Sequence, residues 1–395
     1  MRLIYLLTLV QIAFCCSSSH NNIFEIDPGN FIQNKILLSD IADDIKYFPL
    51  DNSIPFINFK YIITHDNFYF SAKDIGILKF DRKGRLIKKI GKHGRGPEEY
   101  MYGMDFTVDE KTENVFVLDP GIVKVYSHSG NFLRDINIKA YSGGYGFSDI
   151  ETYNSLLFFS DNLSNGDSKY NWVFLDTLGN LIAKKENSVP VFENNIEMKA
   201  GVYRFEDKLF YFNYFNDTIF SIYPNLSYRA AYLFAKGEFR WPRAKINFTS
   251  DSQLISELNK LFKPGNMFET KRFIVFSYSY LDKYPIIFIE KKTKKTFLAL
   301  KYDNTLGSIL KYKPFLINNL DGGMPLTENI KYYSENDEEF ITTLINPFDL
   351  KLFISSKEFK NSIPKYPEKK KELELLANTL KETDNPVLMI VRLKK

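Results

Sequence analysis

Cysteine is nearly absent: Cys15 and Cys16 are the only two, and the 379 residues after them contain none. Structural disulfides, thiolate zinc sites and a cysteine nucleophile are therefore excluded from the body of the chain. Histidine is almost as sparse. His20, His65, His93 and His128 stand alone, with no second histidine at ligand spacing, so a histidine-rich transition-metal site is excluded as well. No Gly-x-Ser-x-Gly elbow and no His-Glu-x-x-His occurs. An excess of one charge is also missing, since 52 Lys+Arg nearly cancel 48 Asp+Glu for a net +4. Nucleic-acid binding calls for a concentrated basic footprint, and this chain has none. Alanine is scarce, at twelve residues, and tryptophan numbers only two.

What is abundant is phenylalanine (36) and tyrosine (25), which lift aromatic content to 16%. Aromatic and β-branched side chains favour a pleated surface and alanine a helix, so the composition points to a β protein. With 44% hydrophobic and 25% charged residues in 395, the chain can bury a large core.

Only one apolar run is long, Leu3 to Phe14 behind Arg2, and it ends in Cys15-Cys16-Ser17-Ser18-Ser19. It is too short to span a bilayer and has the form of a secretory leader. A cysteine directly after such a run resembles the lipobox of bacterial lipoproteins, in which the cysteine thiol is acylated and becomes the first mature residue. Cys16 has the small Cys15 before it and Ala13 at the third position back, whereas Cys15 would follow the bulky Phe14. Cys16 is accordingly the expected lipidation site ahead of Cys15, with residues 1–15 the leader and 16–35 a tether. The expected address is the cell envelope, anchored to a bacterial membrane on its periplasmic face or at the cell surface.

The remainder, 36–395, repeats. Asn67–Phe70, Gly76–Phe80, the turn Asp81-Arg82-Lys83-Gly84 and Leu86–Ile90 form one unit. Asn114–Leu118, Ile122–Tyr126, the turn ending in Gly130 and Phe132–Ile136 form the next, and Leu156–Phe159, Asn171–Leu175, the turn ending in Gly179 and Leu181–Lys185 a third. Weaker copies follow at Lys208–Phe212 with Asp217–Ile222 and at Phe273–Phe276 with Ile286–Glu290. A period of about forty to fifty residues is that of a four-stranded propeller blade. Dividing the body by six gives about sixty residues per blade with insertions, so the expected fold is an all-β six-bladed β-propeller of four-stranded antiparallel blades. Helical insertions are expected at 251–262, capped by Asp251 or Ser252, and at 367–383. Val387–Val391 reads as a final buried strand, with Ile45–Leu50 as its N-terminal partner at ring closure.

Ile90-Gly-Lys-His-Gly-Arg-Gly-Pro-Glu-Glu-Tyr100, the strand Asn216–Phe220, and the closing helix with Asp384-Asn-Pro-Val-Leu-Met-Ile-Val-Arg-Leu393 resemble elements of Bacteroidota-type six-bladed β-propeller lipoproteins, relatives of NHL-repeat propellers. The resemblance implies the propeller fold and a lipid anchor and leaves the ligand open. This chain lacks the acidic run after the cysteine that marks surface display in such lipoproteins.

Two groups of residues are candidates for contact with a ligand. Gly91-Lys92-His93-Gly94-Arg95-Gly96 lacks the Gly-Lys-Ser/Thr ending of a phosphate loop. It reads either as an inter-blade connection with Arg95 held by Glu98 or Glu99, or as a ligand loop. In the second case Arg95 would clamp a carboxylate or a sugar hydroxyl beside Glu99, and Tyr100 would offer a stacking face. The second group is the carboxylates Asp74, Asp105, Asp119, Asp149, Glu151, Asp161, Asp303 and Asp321, several of them at strand ends where a propeller channel opens.

The expected function is non-catalytic binding of a glycan, peptide or protein ligand on one face of the disc, with no cofactor. One alternative is a calcium-dependent, lactonase-like hydrolase, since calcium takes hard oxygen ligands and needs no histidine. The other is a scaffold subunit of an envelope complex.

Overall fold

In the computed structural model, the described residues are 23–395 apart from 33, 104, 143–145, 162–166, 194–200, 238–239, 282–283, 300–314 and 328. Cys16 and Asp303 lie outside them. Six sheets, each built from four antiparallel strands, follow one another along the chain. Blade 1 runs from the innermost strand Asn58–Ile63 to Leu86–Ile90, blade 2 from Asp105–Val108 to Phe132–Asn137, and blade 3 from Phe147–Tyr153 to Leu181–Glu186. Blade 4 spans Gly201–Phe205 to Tyr228–Phe234, and blade 5 Lys263–Glu269 to Thr296–Ala299. The repeats legible in the sequence are the second, third and fourth strands of blades 1 to 3.

Blade 6 is assembled from both ends of the chain. Lys331–Glu335 and Glu338–Ile345 are joined by Val387–Leu393, which pairs on its outer side with Ala42–Pro49, in register from Val387 opposite Pro49 to Leu393 opposite Ala42. The seam buries Leu388, Met389 and Val391 completely. The expected closing pair is therefore present.

The segment before the seam is seated on the disc. Phe24–Ile26 lies parallel to Tyr232–Phe234 as a fifth strand of blade 4, and Asn34–Lys35 lies parallel to Phe297–Leu298 on blade 5. Leu37 then bridges to Ile317 before the chain enters blade 6. From Phe24 on, the stretch expected as tether forms a belt along the outer edges of blades 4 and 5.

The turn glycines have a common purpose. Gly84, Gly130 and Gly179 all have positive φ, between 82° and 97°. A side chain at Gly84 would lie 2.2 Å from the carbonyl oxygen of Pro49, in blade 6; one at Gly179 would lie 2.7 Å from Ile136, in blade 2. Each of these turns rests on the outer strand of the preceding blade, so glycine serves both the hairpin backbone and the close approach. Aromatic rings fill the wedge between blades. Trp172 of blade 3 meets Tyr211, Phe220 and Tyr228 of blade 4 edge-on at 5.1–5.7 Å. Carboxylates clamp neighbouring blades. Glu113 of blade 2 takes Asn67, Tyr69 and Lys79 of blade 1, and Glu269 of blade 5 takes Tyr203 and Tyr232 of blade 4.

The helices differ in detail from the sequence reading. The first insertion is Asp251–Asn259, and its cap is Ser250, whose hydroxyl accepts from the Gln253 amide, rather than Asp251 or Ser252. The C-terminal insertion contains three helices instead of one: Pro347–Ser355, Lys357–Asn361 and Pro367–Thr379. Asn346 and Ser356 cap the first two. Their apolar residues, among them Leu350 and Phe359, share a core with Leu373 and Ala377 of the third; two short, weakly periodic helices are hard to separate from a buried apolar run.

Truncating Leu388 to Ala should cost about 2–5 kcal/mol, because it leaves a cavity at a fully buried seam position. Deleting 385–395 should abolish cooperative unfolding. Urea denaturation followed by tryptophan fluorescence checks both.

Candidate functional site

The innermost strands carry charged side chains on the face that turns toward the axis of the disc, and five of the six blades contribute to one cluster in which a lysine is shared. Lys60, from Asn58–Ile63, places its ammonium 2.8 Å from Asp105 of blade 2 and 3.4 Å from Glu151 of blade 3. A bulge between Asn58 and Tyr61 lies in this strand, at the position of Lys60. Asp105 also accepts the amides of Phe106 and Ile150. Arg204, from blade 4, donates to the Thr152 hydroxyl at 3.2 Å and lies 3.9 Å from Glu151. Thr152 in turn bonds to Thr107 of blade 2, so the inner strands of blades 2, 3 and 4 are tied side by side.

Lys331 opens the inner strand of blade 6 and completes the set. Its ammonium donates to the Tyr61 carbonyl at 2.8 Å and sits 4.4 Å above the Tyr61 ring. Among the described residues no carboxylate lies within ion-pair distance of it. Neighbouring Asn266 of blade 5 donates to the Ile330 carbonyl.

The two lysines are driven in opposite directions. For Lys60, burial favours the neutral form, but Asp105 and Glu151 outweigh it and raise the ammonium above its ordinary pKa. For Lys331, burial dominates and Lys60 adds repulsion, against weaker attraction from Asp105 and Glu151, so its pKa falls to about 8. Functional sites are places where burial and charged neighbours are arranged to shift pKa values, and structural ion-pair networks do the same.

The candidate carboxylates scatter otherwise. Asp119 accepts the amides of Met101, Tyr102 and Gly103 and shapes a loop. Asp149 is held by the Ser148 and Ser160 hydroxyls. Asp321, fully buried, accepts from Tyr47, Asn318 and the Gly323 amide far along the ring. Asp74 sits in a hairpin turn with φ of 58°. Asp105 and Glu151 are brought together on Lys60, with the charge of Asp149 also acting on that ammonium; the side chain of Asp161 and the whole of Asp303 lie outside what is described. Among the described residues no three His, Cys, Asp or Glu side chains group as metal ligands do.

The glycine-rich loop takes a different form from its sequence reading. Glu99 is held by the Gly96 amide at 2.9 Å and by Lys92 at 3.0 Å, which keep its carboxyl below the usual range. It engages Arg95 through the backbone amide only; Arg95 is exposed, and its guanidinium makes no bond among the described residues. Tyr100 is only 5% exposed, its ring packed edge-on to Tyr126, with Gly91 and Gly103 leaving room for it. That ring offers no free face for stacking. Beside the loop is a cleft of about 530 Å³ between Lys89, Lys92, Glu98 and Phe132.

Lys60, Arg204 and Lys331 escaped the sequence reading. Their signal was a charged residue in the first strand of each unit, where neighbours are apolar; the repeats had been recognised by their later strands.

Among curated proteins none matches this chain. Residues 23–392 match the family described as "Domain of unknown function (DUF4934)". Of solved structures, one from Bacteroides fragilis NCTC 9343, described as a "Putative exported protein", is similar over 92% of this chain and 99% of its own, with 17% identity and a TM-score of 0.63. A member of the DUF4221 family from Bacteroides vulgatus ATCC 8482 covers the same shares at 13% identity and a TM-score of 0.48.

Two substitutions should separate the lysines. Lys60→Met leaves Asp105 and Glu151 without their cation and should destabilise by roughly 3–5 kcal/mol. Lys331→Met should raise stability at pH 7. The native pKa near 8 lies below the unfolded value of about 10.4, so the unfolded chain binds more protons between them, and the cost of burying the charge is present below pH 8 and vanishes above about 10.4. Thermal melts at pH 7 and pH 10 should show the advantage of Lys331→Met at the first and its loss at the second.

Proposed function

The chain belongs to the DUF4934 family, and from that footing we propose that it is an exported, lipid-anchored propeller of the bacterial cell envelope that binds a ligand at the mouth of its central channel without transforming it. The observation that carries the reading is the cluster of Lys60, Asp105, Glu151, Arg204 and Lys331, drawn from five blades, in which, among the described residues, Arg204 and Lys331 each make a single hydrogen bond. A structural ion-pair network would use their donors internally.

Export is supported by the leader form of residues 1–15, directly before Cys16, and by the description of the Bacteroides fragilis structure. No helix of the described residues is long and apolar enough to cross a membrane, which suits attachment through an acylated cysteine. Binding is favoured over acid–base chemistry by the placement of His65, His93 and His128. All three are exposed and lie outside the inner strands, and among the described residues no hydroxyl at the cluster is paired with a histidine, with Asp105 or with Glu151. The ligand class that suits such a disc is a glycan, a peptide or a protein.

Cys16→Ala should move the protein from the membrane to the soluble fraction after cell breakage, with Cys15→Ala alone leaving it in the membrane. Retention of the double variant in the membrane would sink the anchor. For the channel, envelope fractions containing the ligand should raise the melting temperature of the wild type, by mass action on the folded state, and leave Arg204→Met unchanged.

A further inference from the structure

We infer that the cleft between the outer parts of blades 1 and 2 is a seat for a neutral sugar, whose ring lies on Phe132 and whose hydroxyls are shared between Glu98 and Lys89. That seat is separate from the channel: no residue lining it belongs to the charged cluster.

The cleft encloses about 530 Å³, within the range of about 300–1,000 Å³ that small-molecule sites occupy. Its wall at Pro97 and Glu98 is fixed by two side chains that are nearly out of water. Lys124, 5% exposed, donates to the Pro97 carbonyl at 2.7 Å, and Tyr126, 2% exposed, donates to the Glu98 carbonyl at 2.8 Å. Lys124 also pairs with Asp135 at 3.0 Å and lies over the Phe132 ring, 5.3 Å from its centre, while Tyr126 packs edge-on to the same ring. Loop and ring are thereby set in one relation before any ligand arrives, which lowers the ordering cost of binding.

The remaining side chains select the ligand. Lys92 is matched by Glu99 at 3.0 Å. Lys89 and Glu98 are exposed, and among the described residues neither side chain has an ion-pair or hydrogen-bond partner. The lining thus carries two lysines and two glutamates and is electrically balanced, so a charged ligand meets repulsion along with attraction. An ammonium only donates and a carboxylate only accepts, whereas a hydroxyl does both. One polyol therefore answers Lys89 and Glu98 together, and the C–H groups of its ring meet the negative face of an aromatic ring. A wholly apolar ligand would strand both charges. A peptide laid down as an added strand finds the edge taken, because the blade 2 turn rests on the outer strand of blade 1: a side chain at Gly130 would lie 3.2 Å from the Lys89 carbonyl oxygen. Phe132 and Glu98 take the parts that the sequence reading assigned to Tyr100 and Glu99.

The test is calorimetric titration of the full chain with cellobiose, lactose and di-N-acetylchitobiose as neutral probes and digalacturonic acid as the charged one. At least one neutral disaccharide should bind with millimolar affinity or better, roughly ten-fold more tightly than the acid. Its affinity should be the same at ~0.05 M and ~0.5 M salt, since it carries no charge to be screened. Glu98→Gln and Phe132→Leu should each weaken it about ten-fold. The first changes an exposed group, and the second keeps apolar packing beneath Lys124 while removing the ring; unchanged melting temperatures check that both fold. No binding of any neutral disaccharide at about 10 mM, tighter binding of the acid, or an affinity unmoved by both substitutions would each overturn the inference. Affinity lost in Arg204→Met and kept in Phe132→Leu would place the sugar in the channel and overturn it as well.

Discussion

Everything in this molecule depends on the seam between Ala42–Pro49 and Val387–Leu393. A ring of wedges gains its stability from faces buried between neighbours, and an open ring leaves two such faces in water. The seam pairs residues separated by most of the chain, and its loop closure is the largest entropic cost in the topology. Placing the C-terminal strand between Glu338–Ile345 and Ala42–Pro49 makes it interior on both edges. Val387–Leu393 thus completes the core, and the preceding five blades can form on local contacts before it.

The same radial geometry produces the charged channel. Strands that converge on an axis bring their innermost residues within a few ångströms regardless of sequence distance, so Lys60, Glu151 and Lys331 meet although they lie in the first, third and last units. Close approach in a partly dehydrated space makes charges costly unless matched. Lys60 is matched and Lys331 is not. A residue held at a cost to stability is what selection for a function leaves behind, as stability and activity frequently trade against each other.

How much of this could be read beforehand follows from the kind of signal involved. Strand periodicity and the Gly84, Gly130 and Gly179 turns are local, and they revealed the blades; the number six came from dividing the length of the body, and the closing pair from the apolar run Val387–Val391. Helix Pro367–Thr379, with its long stripe and Pro367 at the start, was legible; the short helices at 347–361 were not, since neither spans enough turns to show a period. The candidate site was mostly hidden. Asp105 and Glu151 could be named as carboxylates, but their partner Lys60 comes from another blade, and pairing across blades is a property of the ring alone. Arg95 and Tyr100 drew notice through the glycines around them, yet those glycines accommodate packed rings and a carboxylate held by backbone.

The belt formed by Phe24–Ile26 and Asn34–Lys35 has a mechanical consequence. Any pull on the chain from the side of residue 23 reaches the belt before the seam, and each belt strand is short, two or three residues long and bonded along one edge. Ile26 is buried against blades 4 and 5, and the Ile32 amide and Asn34 side chain bond to Thr296, so such a load meets two separate attachments before it meets the ring closure.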